Sequence, residues 1–384
     1  MAAEMEWSRA AIAGAMSAGS LASGGLALVI GPLMDKRGAR WVMAVGIAVM
    51  AACIIGVSQV AALWQFYLLF GASRAISAGI VELAASVAIA NWFVTKRARA
   101  FGLATTGPRI GLAFMPPLAL LLASELGWRG AWFGLGITAF AIGILPTILF
   151  VGRRPEDFGL VPDGNPASQQ TALSSSQPLS PRKPAAADSS WTVKGALASA
   201  PFWLLTAGQA MTMMASGGVN MHQLPHLTDQ GIPPAVAVGA VSSYAIWAMV
   251  GVLGWSYLAE RFGVRPCLAI ILALSAVGVF ILARVDSVAM AYIYSAFYGL
   301  CFGGEMALFP LAWANYFGRA SLGAINGISR PIVMTFNAAG PLFAGWIYDT
   351  TGSYWISFLV FIISFLVGSI LIFASRPARP STAT

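Results

Sequence analysis

The chain has 384 residues, of which 58% are apolar and 9% charged, and its formal net charge is +8. Soluble domains carry charge on about a quarter of their residues, so this composition excludes a soluble globular protein. The basic residues are scattered among separate loops rather than gathered on one surface, which excludes a nucleic-acid partner.

In chain order, apolar windows of about 20 residues, the length that crosses a hydrocarbon core of about 30 Å, fall near 10–33, 41–58, 63–90, 99–122 and 130–151. After a long polar stretch they resume near 201–225, 233–258, 266–283, 288–313, 322–345 and 354–375. The expectation is an all-α membrane protein of eleven transmembrane helices, since only helices and closed barrels satisfy the backbone in lipid. Most lysines and arginines, among them Lys36, Lys96, Arg97, Arg99, Arg153 and Arg319, fall on alternate connections, whereas the other side holds only Arg9, Arg129 and Arg284. That asymmetry predicts a cytoplasmic C-terminus and a cytoplasmic loop near 152–198. The short loops suggest a bacterial inner membrane. Cys53, Cys267 and Cys301 lie inside apolar runs and read as packing residues. The polar first ten residues and the long apolar run after them do not form a cleavable signal.

The first loop, GPLMDKRGAR from Gly31 to Arg40, repeats in looser form as SYLAERFGVR from Ser256 to Arg265. Asp35 then pairs with Glu260, Gly38 with Gly263 and Arg40 with Arg265, at a constant offset of 225 residues. The same offset pairs Met1 with His226, so the helix at 201–225 has no counterpart in the first half. The expected organisation is a five-helix N-terminal half (1–151), a largely disordered cytoplasmic linker (152–198), a six-helix C-terminal half (199–376) and a cytoplasmic tail (377–384). A truncated gene model or a misplaced start would account for the unmatched helix; a genuine eleven-span protein is the other reading.

Gly31, Leu33, Asp35, Lys36, Arg37, Gly38 and Arg40 form a loop that resembles the signature of the major facilitator superfamily. The pattern of Trp92, Phe93, Lys96, Arg97, Ala100, Gly102, Ala104 and Gly107 is similar to a motif of its monocarboxylate-porter branch. GWRGAWF (Gly127 to Phe133) and RRPEDFGLVPDG (Arg153 to Gly164) resemble that branch and the oxalate/formate antiporters. The resemblance implies a bundle of two pseudo-symmetric halves and transport by alternating access. It also implies that the charged loop residues Asp35, Arg37, Arg40, Glu260, Arg261 and Arg265 pair in one conformation and separate in another. Animal monocarboxylate carriers place an Asp and an Arg on the second helix of the C-terminal half. Here 233–258 carries Tyr244 and Trp247 and no charge, a departure that bears on proton coupling.

Asn91 to Ile110 recurs loosely as Asn315 to Pro331, and each copy carries an intramembrane arginine, Arg109 or Arg330. Arg109 lies ten residues beyond Arg99, which puts it about 15 Å into the bilayer. A guanidinium at that depth is costly and needs a partner or a wet cavity. Its planar fork matches a carboxylate, so one reading is an organic-anion site built from Arg330, Arg109, Asn326, Asn337, Thr106, Gln209, Asn220, Tyr244 and Trp247. The other reading is that the arginines pair internally with Glu82 or Glu305 and only hold the bundle together. Glu82, Glu305 and Arg74 are proton-coupling candidates. His222 and His226 stand four apart, but Pro225 intervenes and no Cys or carboxylate is near, so they read as an outer-mouth pair and not a metal site.

The expected function is secondary transport of a small mono- or dicarboxylate by a monomer in contact with membrane lipid, with no cofactor, driven by protons or by exchange. No nucleotide-binding or nucleophile–base motif points to an ATP-driven pump or to an enzyme. Efflux of a drug-like or neutral solute is the alternative within transport. A truncated non-transporting paralogue or sensor is the alternative of another class.

Overall fold

The computed structural model describes residues 4, 5, 7, 9–160, 162–164 and 191–376; the side chains of Arg109 and a few neighbours, most of the predicted linker and the tail from residue 377 lie outside what is described. Among the described residues there are helices, short turns and no strands. The first five spans are α1 (Arg9–Arg37), α2 (Ala39–Val57), α3 (Leu63–Ile76) continued through one π-helical turn (Ser77–Val81) into α4 (Glu82–Trp92), and the two arms of α5 (Arg97–Phe150). A five-residue helix, α6 (Val193–Leu197), precedes six more spans. These are α7 (Ala200–Asp229), α8 (Pro234–Phe262), α9 (Val264–Ala283), α10 (Val288–Phe317), α11 (Leu322–Thr351) and α12 (Trp355–Ala374).

α5 is too long for one crossing, and it reverses at Gly127, whose φ of 67° and ψ of 177° are non-helical. A Cβ on Gly134 would stand 2.8 Å from Leu122, so the two arms pack antiparallel as the apolar windows predict. The paired loop glycines also agree in conformation. Gly38 has φ 85° and ψ 156°, and Gly263 has φ 90° and ψ 153°. Both lie in a region that side-chain-bearing residues rarely enter, so both repeats turn from one helix into the next in the same way.

Seven helical stretches are long and apolar enough to cross a membrane by composition alone. The other four spans, the first arm of α5 and helices α7, α10 and α11, contain the polar residues Arg109, Gln209, Asn220, Glu305, Asn326, Arg330 and Asn337. Lowered hydropathy in those four is therefore what an internal polar surface produces, since polar groups in lipid are tolerated only where they face protein or water.

Packing is unequal between the two groups of helices. One large core joins residues of α7 to α12, including Phe202, Trp313, Phe317 and Phe358, and takes in Ala90 of α4 and Ala98 and Phe101 of α5. Two smaller cores form among α1 to α4, around Met34 and Leu83 and around Phe66. Close approach relies on small residues, as lipid-embedded helices require in the absence of a hydrophobic drive between them. Gly24 meets Pro331, Gly31 meets Gly323 and Gly327 meets the Ala27 carbonyl along the α1–α11 seam.

Candidate functional site

The seams between the two groups of helices close at one end. Gly31 and Gly323 face each other where α1 ends and α11 begins. The repeat-related contact is Gly102 on α5 against Ser256 on α8, where a Cβ on the glycine would stand 2.6 Å from the Ser256 Oγ. Ser256 corresponds to Gly31 at the offset of 225, so the two motif glycines cross over, each packing on the signature-loop helix of the other group. Farther along, these helices also pack within their own groups. α1 turns to α3, with Gly14 against Tyr67, and α11 turns to α7, with Asn337 Nδ2 donating to the Met213 carbonyl at 3.2 Å.

Helix ends are exchanged at the closed end. α11 has no side-chain cap from its own N-cap residue, Ser321. Instead Asp35 of α1 accepts from the Gly323 and Ala324 backbone N–H groups, at 3.0 and 2.8 Å. A carboxylate there satisfies orphan donors and opposes the positive end of the helix dipole. Its repeat partner Glu260, near the end of α8, accepts from Nε of Arg99 at the start of α5, 2.7 Å away. Carbonyl ends are treated alike. Arg97 is only 5% exposed and donates to Phe93, Ala90 and, across the seam, the Ala314 carbonyl at the end of α10. Arg319 donates to the Asn91 carbonyl at the end of α4, 3.1 Å away, and to Glu156 at 2.5 Å.

The other loop cations behave differently. Arg40 donates to the Ile148 carbonyl and lies over Trp41, and Arg265 lies over Phe373, each within its own group of helices. Arg37 and Arg261 are exposed. Arg97, Arg99 and Arg319, which the sequence shows only as loop charges, thus also reach across the seam at this end, the last of them to Glu156. The basic cluster after each Asn-aromatic-Phe triplet was the available signal.

RRPEDFGLVPDG folds back on the same end. Asp163 accepts from the backbone N–H groups of Val94, Thr95 and Lys96, the shortest at 2.8 Å from Thr95. Burial raises its carboxyl, but these three bonds outweigh it and hold the group below the ordinary carboxylate range.

In the same helix that meets α1 at Gly323 and Pro331, Arg330 on α11 forms an ion pair with Glu82 of α4, Nη1 to Oε2 3.6 Å. Asn326, one turn earlier, is buried and accepts weakly from Ser329. Along α7, Gln209 accepts from the Trp313 indole N–H at 2.8 Å, and Asn220 accepts from the Tyr244 hydroxyl at 3.0 Å. Tyr244 stacks on Tyr298, while Trp247 is 40% exposed. Thr106 returns its hydroxyl to the Leu103 carbonyl. Arg74 lies in the last turn of α3, just before the π-helical turn, and has its Nε without a hydrogen-bond partner. Arg109 lies on the first arm of α5, with its side chain outside the described residues.

Glu305 is not beside Arg330. It is fully buried among α7, α9 and α10, accepting from Ser216 and Ser275 at 3.0 and 2.6 Å. The two histidines go separate ways: His222 meets the Tyr354 hydroxyl and the Pro341 carbonyl, and His226 meets the Leu282 carbonyl. No group of three metal-ligating side chains occurs among the described residues.

A bundle of long helices in two groups, with helix ends of each group bonded by side chains of the other, is the architecture of a multi-pass membrane protein. The sequence profile of the Major Facilitator Superfamily matches residues 1–254 and 205–384, and the chain belongs to that family. Mouse monocarboxylate transporter 12 is 23% identical over 342 residues, covering 86% of this chain and 70% of that protein. Mouse monocarboxylate transporter 11 is 26% identical over 382 residues, covering 95% and 79%. The human organic anion transporter MFSD10 (TETRAN) superposes with a TM-score of 0.68 at 16% identity, covering 97% of this chain and 87% of that one. At that identity the superposition speaks for the fold. The family and its carrier relatives make this chain a transporter of a small molecule and not an enzyme. Both relatives are animal proteins, so they lend nothing to the bacterial membrane suggested by the short loops.

Proposed function

We propose that the chain moves a small organic anion across the membrane by alternating access between a five-helix half (1–151) and a six-helix half (199–376), driven by proton symport or by exchange of anions. The observation that carries this reading is the Arg330–Glu82 pair. It sets a guanidinium that is 17% exposed against a carboxylate of the other half that is 62% exposed. An intramembrane arginine in such a place accepts a carboxylate bidentately at small cost in reorganisation. The monocarboxylate transporters among the relatives fit the same substrate chemistry. With the basic loops and the C-terminus on the cytoplasmic side, as the charge asymmetry requires, this conformation faces outward. The protein works as a monomer in lipid, and Asp35, Glu260, Arg97, Arg99 and Arg319 form its inner gate.

Glu82 and Glu305 are the carboxylates available for proton coupling. Glu305 has only serine hydroxyls as hydrogen-bond partners among the described residues, so a proton would neutralise it in place.

The test is uptake into proteoliposomes of a panel of carboxylates, with and without a pH gradient, for the wild type and for Arg330→Gln and Arg330→Lys. Loss of carboxylate uptake in Arg330→Gln, with at most partial function in Arg330→Lys, is expected, because a point charge does not replace the fork. Unchanged affinity and rate in Arg330→Gln would overturn the anion reading. Export of an amphipathic or neutral solute is the second reading, favoured by α8, which offers Tyr244 and Trp247 where a charged pair would serve a carboxylate. Flux driven by such solutes and insensitive to carboxylates would establish it.

A further inference from the structure

The Arg330–Glu82 contact has features of an interaction meant to be broken. Its length of 3.6 Å is beyond good hydrogen-bonding distance. Its two ends are unequal: the Glu82 side chain is 62% exposed and that of Arg330 17%. Releasing Glu82 therefore frees a carboxylate that the protein covers little, whereas leaving Arg330 without an anion would strand a largely covered guanidinium inside a membrane-spanning helix. Glu82 is also the first residue after the π-helical turn Ser77–Val81. Such turns are an irregularity that helices carry mostly at functional positions. Arg330 is followed by Pro331, which gives no N–H to the helix and lies against Gly24 of α1, fixing the backbone from which Arg330 reaches.

We propose that Glu82 is a tethered competitor at the anion site: its carboxylate neutralises Arg330 in the empty protein, and a substrate carboxylate must displace it to bind. This inference rests on the organic-anion reading and narrows it. Displaced Glu82 stays on the same helix within reach of the site as a free negative charge. A substrate with one carboxylate leaves a single uncompensated charge there, but a dicarboxylate brings a second beside it, and like charges at that separation repel. The arrangement selects monocarboxylates over dicarboxylates of similar size.

The experiment is equilibrium binding of two- to six-carbon mono- and dicarboxylates to the purified full chain, comparing wild type, Glu82→Gln, Glu82→Asp and Arg330→Gln, each checked for a monodisperse, folded state. Removing the competitor raises the fraction of free Arg330, so Glu82→Gln should bind monocarboxylates about two- to fivefold more tightly, the range that a partly exposed ion pair supports. Dicarboxylates should gain more than monocarboxylates, closing the gap between the two series. Glu82→Asp, one methylene shorter, should move in the same direction by less, and it serves if the Gln variant does not fold. Unchanged or weaker monocarboxylate binding in folded Glu82 variants, with binding lost in Arg330→Gln, would overturn the competitor and keep the anion site. Full binding in Arg330→Gln, or no binding of any carboxylate to the wild type, would overturn the anion reading itself.

Discussion

Asp163 illustrates how one side chain can hold a helix entrance. Its φ of 64° is left-handed, a conformation that Asp and Asn accept more readily than most residues. From there its carboxylate gathers the Val94, Thr95 and Lys96 amides ahead of α5. Because these bonds keep its folded acidity constant below the unfolded one, the stabilisation is fully present above the unfolded value and is lost as pH falls through the folded value. Asp163→Asn keeps the left-handed backbone and removes the charge. It should cost about 1 kcal/mol at neutral pH, the usual worth of a capping side chain. Thermal melting of both proteins across a pH series checks this, and the two curves should converge on the acid side, where the wild-type carboxylate is protonated. Equal stability at neutral pH would remove Asp163 from the account of this end. RRPEDFGLVPDG was legible as a motif, but its tertiary partner was not, since backbone amides carry no residue identity and those of Val94 to Lys96 stand some 70 positions away.

Among elements, the decisive contacts are those of α1 with α11 and of α5 with α8. The internal repeat made these four helices recognisable as two related pairs, through Gly31 and Ser256 and through Gly102 and Gly323. Which helix of one pair would lie on which helix of the other was hidden, because a repeat defines correspondence and not contact. The structure crosses them, and the two contacts differ in how much they yield. A Cβ on Gly323 would stand 2.6 Å from the Gly31 carbonyl oxygen and 2.9 Å from Asp35 Oδ1. A Cβ on Gly102 meets mainly the Ser256 side chain, at 2.6 Å from its Oγ. Backbone cannot step aside, whereas a serine hydroxyl can rotate. Gly323→Ala should therefore open the closed end, and Gly102→Ala should do so less. Spin labels on cysteines placed at Lys36 and Ala320 would report this as a longer distance population in the first variant. Indistinguishable distance distributions in the two variants would mean that the seam does not control closure.

For the whole molecule, closure is a balance of terms of different strength that salt can separate. Two N–H bonds from the first turn of α11 to Asp35 combine hydrogen bonding with the helix dipole, an arrangement worth up to about 2 kcal/mol when partly buried. The related Arg99–Glu260 pair has its arginine 67% exposed, and pairs of that kind contribute about 0.2–1 kcal/mol. The repeat foretold that Asp35 and Glu260 would correspond, but the sequence had no means of showing that they act unequally. That inequality arises from burial and from what each faces: helix amides for one, a solvated guanidinium for the other. Asp35→Ala should shift the population towards the conformation opened at this end by about ten- to thirtyfold, and Glu260→Gln by about fivefold at most, at 1.4 kcal/mol per tenfold. Raising ionic strength from about 0.01 to 1 M shortens the screening length from about 30 to 3 Å. It should erase the Glu260→Gln effect and leave most of that of Asp35→Ala, in the same spin-label distances. Equal shifts in the two variants, or equal loss of both in salt, would show that the two repeat-related carboxylates carry the gate symmetrically. In that case the sequence repeat alone, without the burial that distinguishes its two copies, would suffice to describe how the transporter closes.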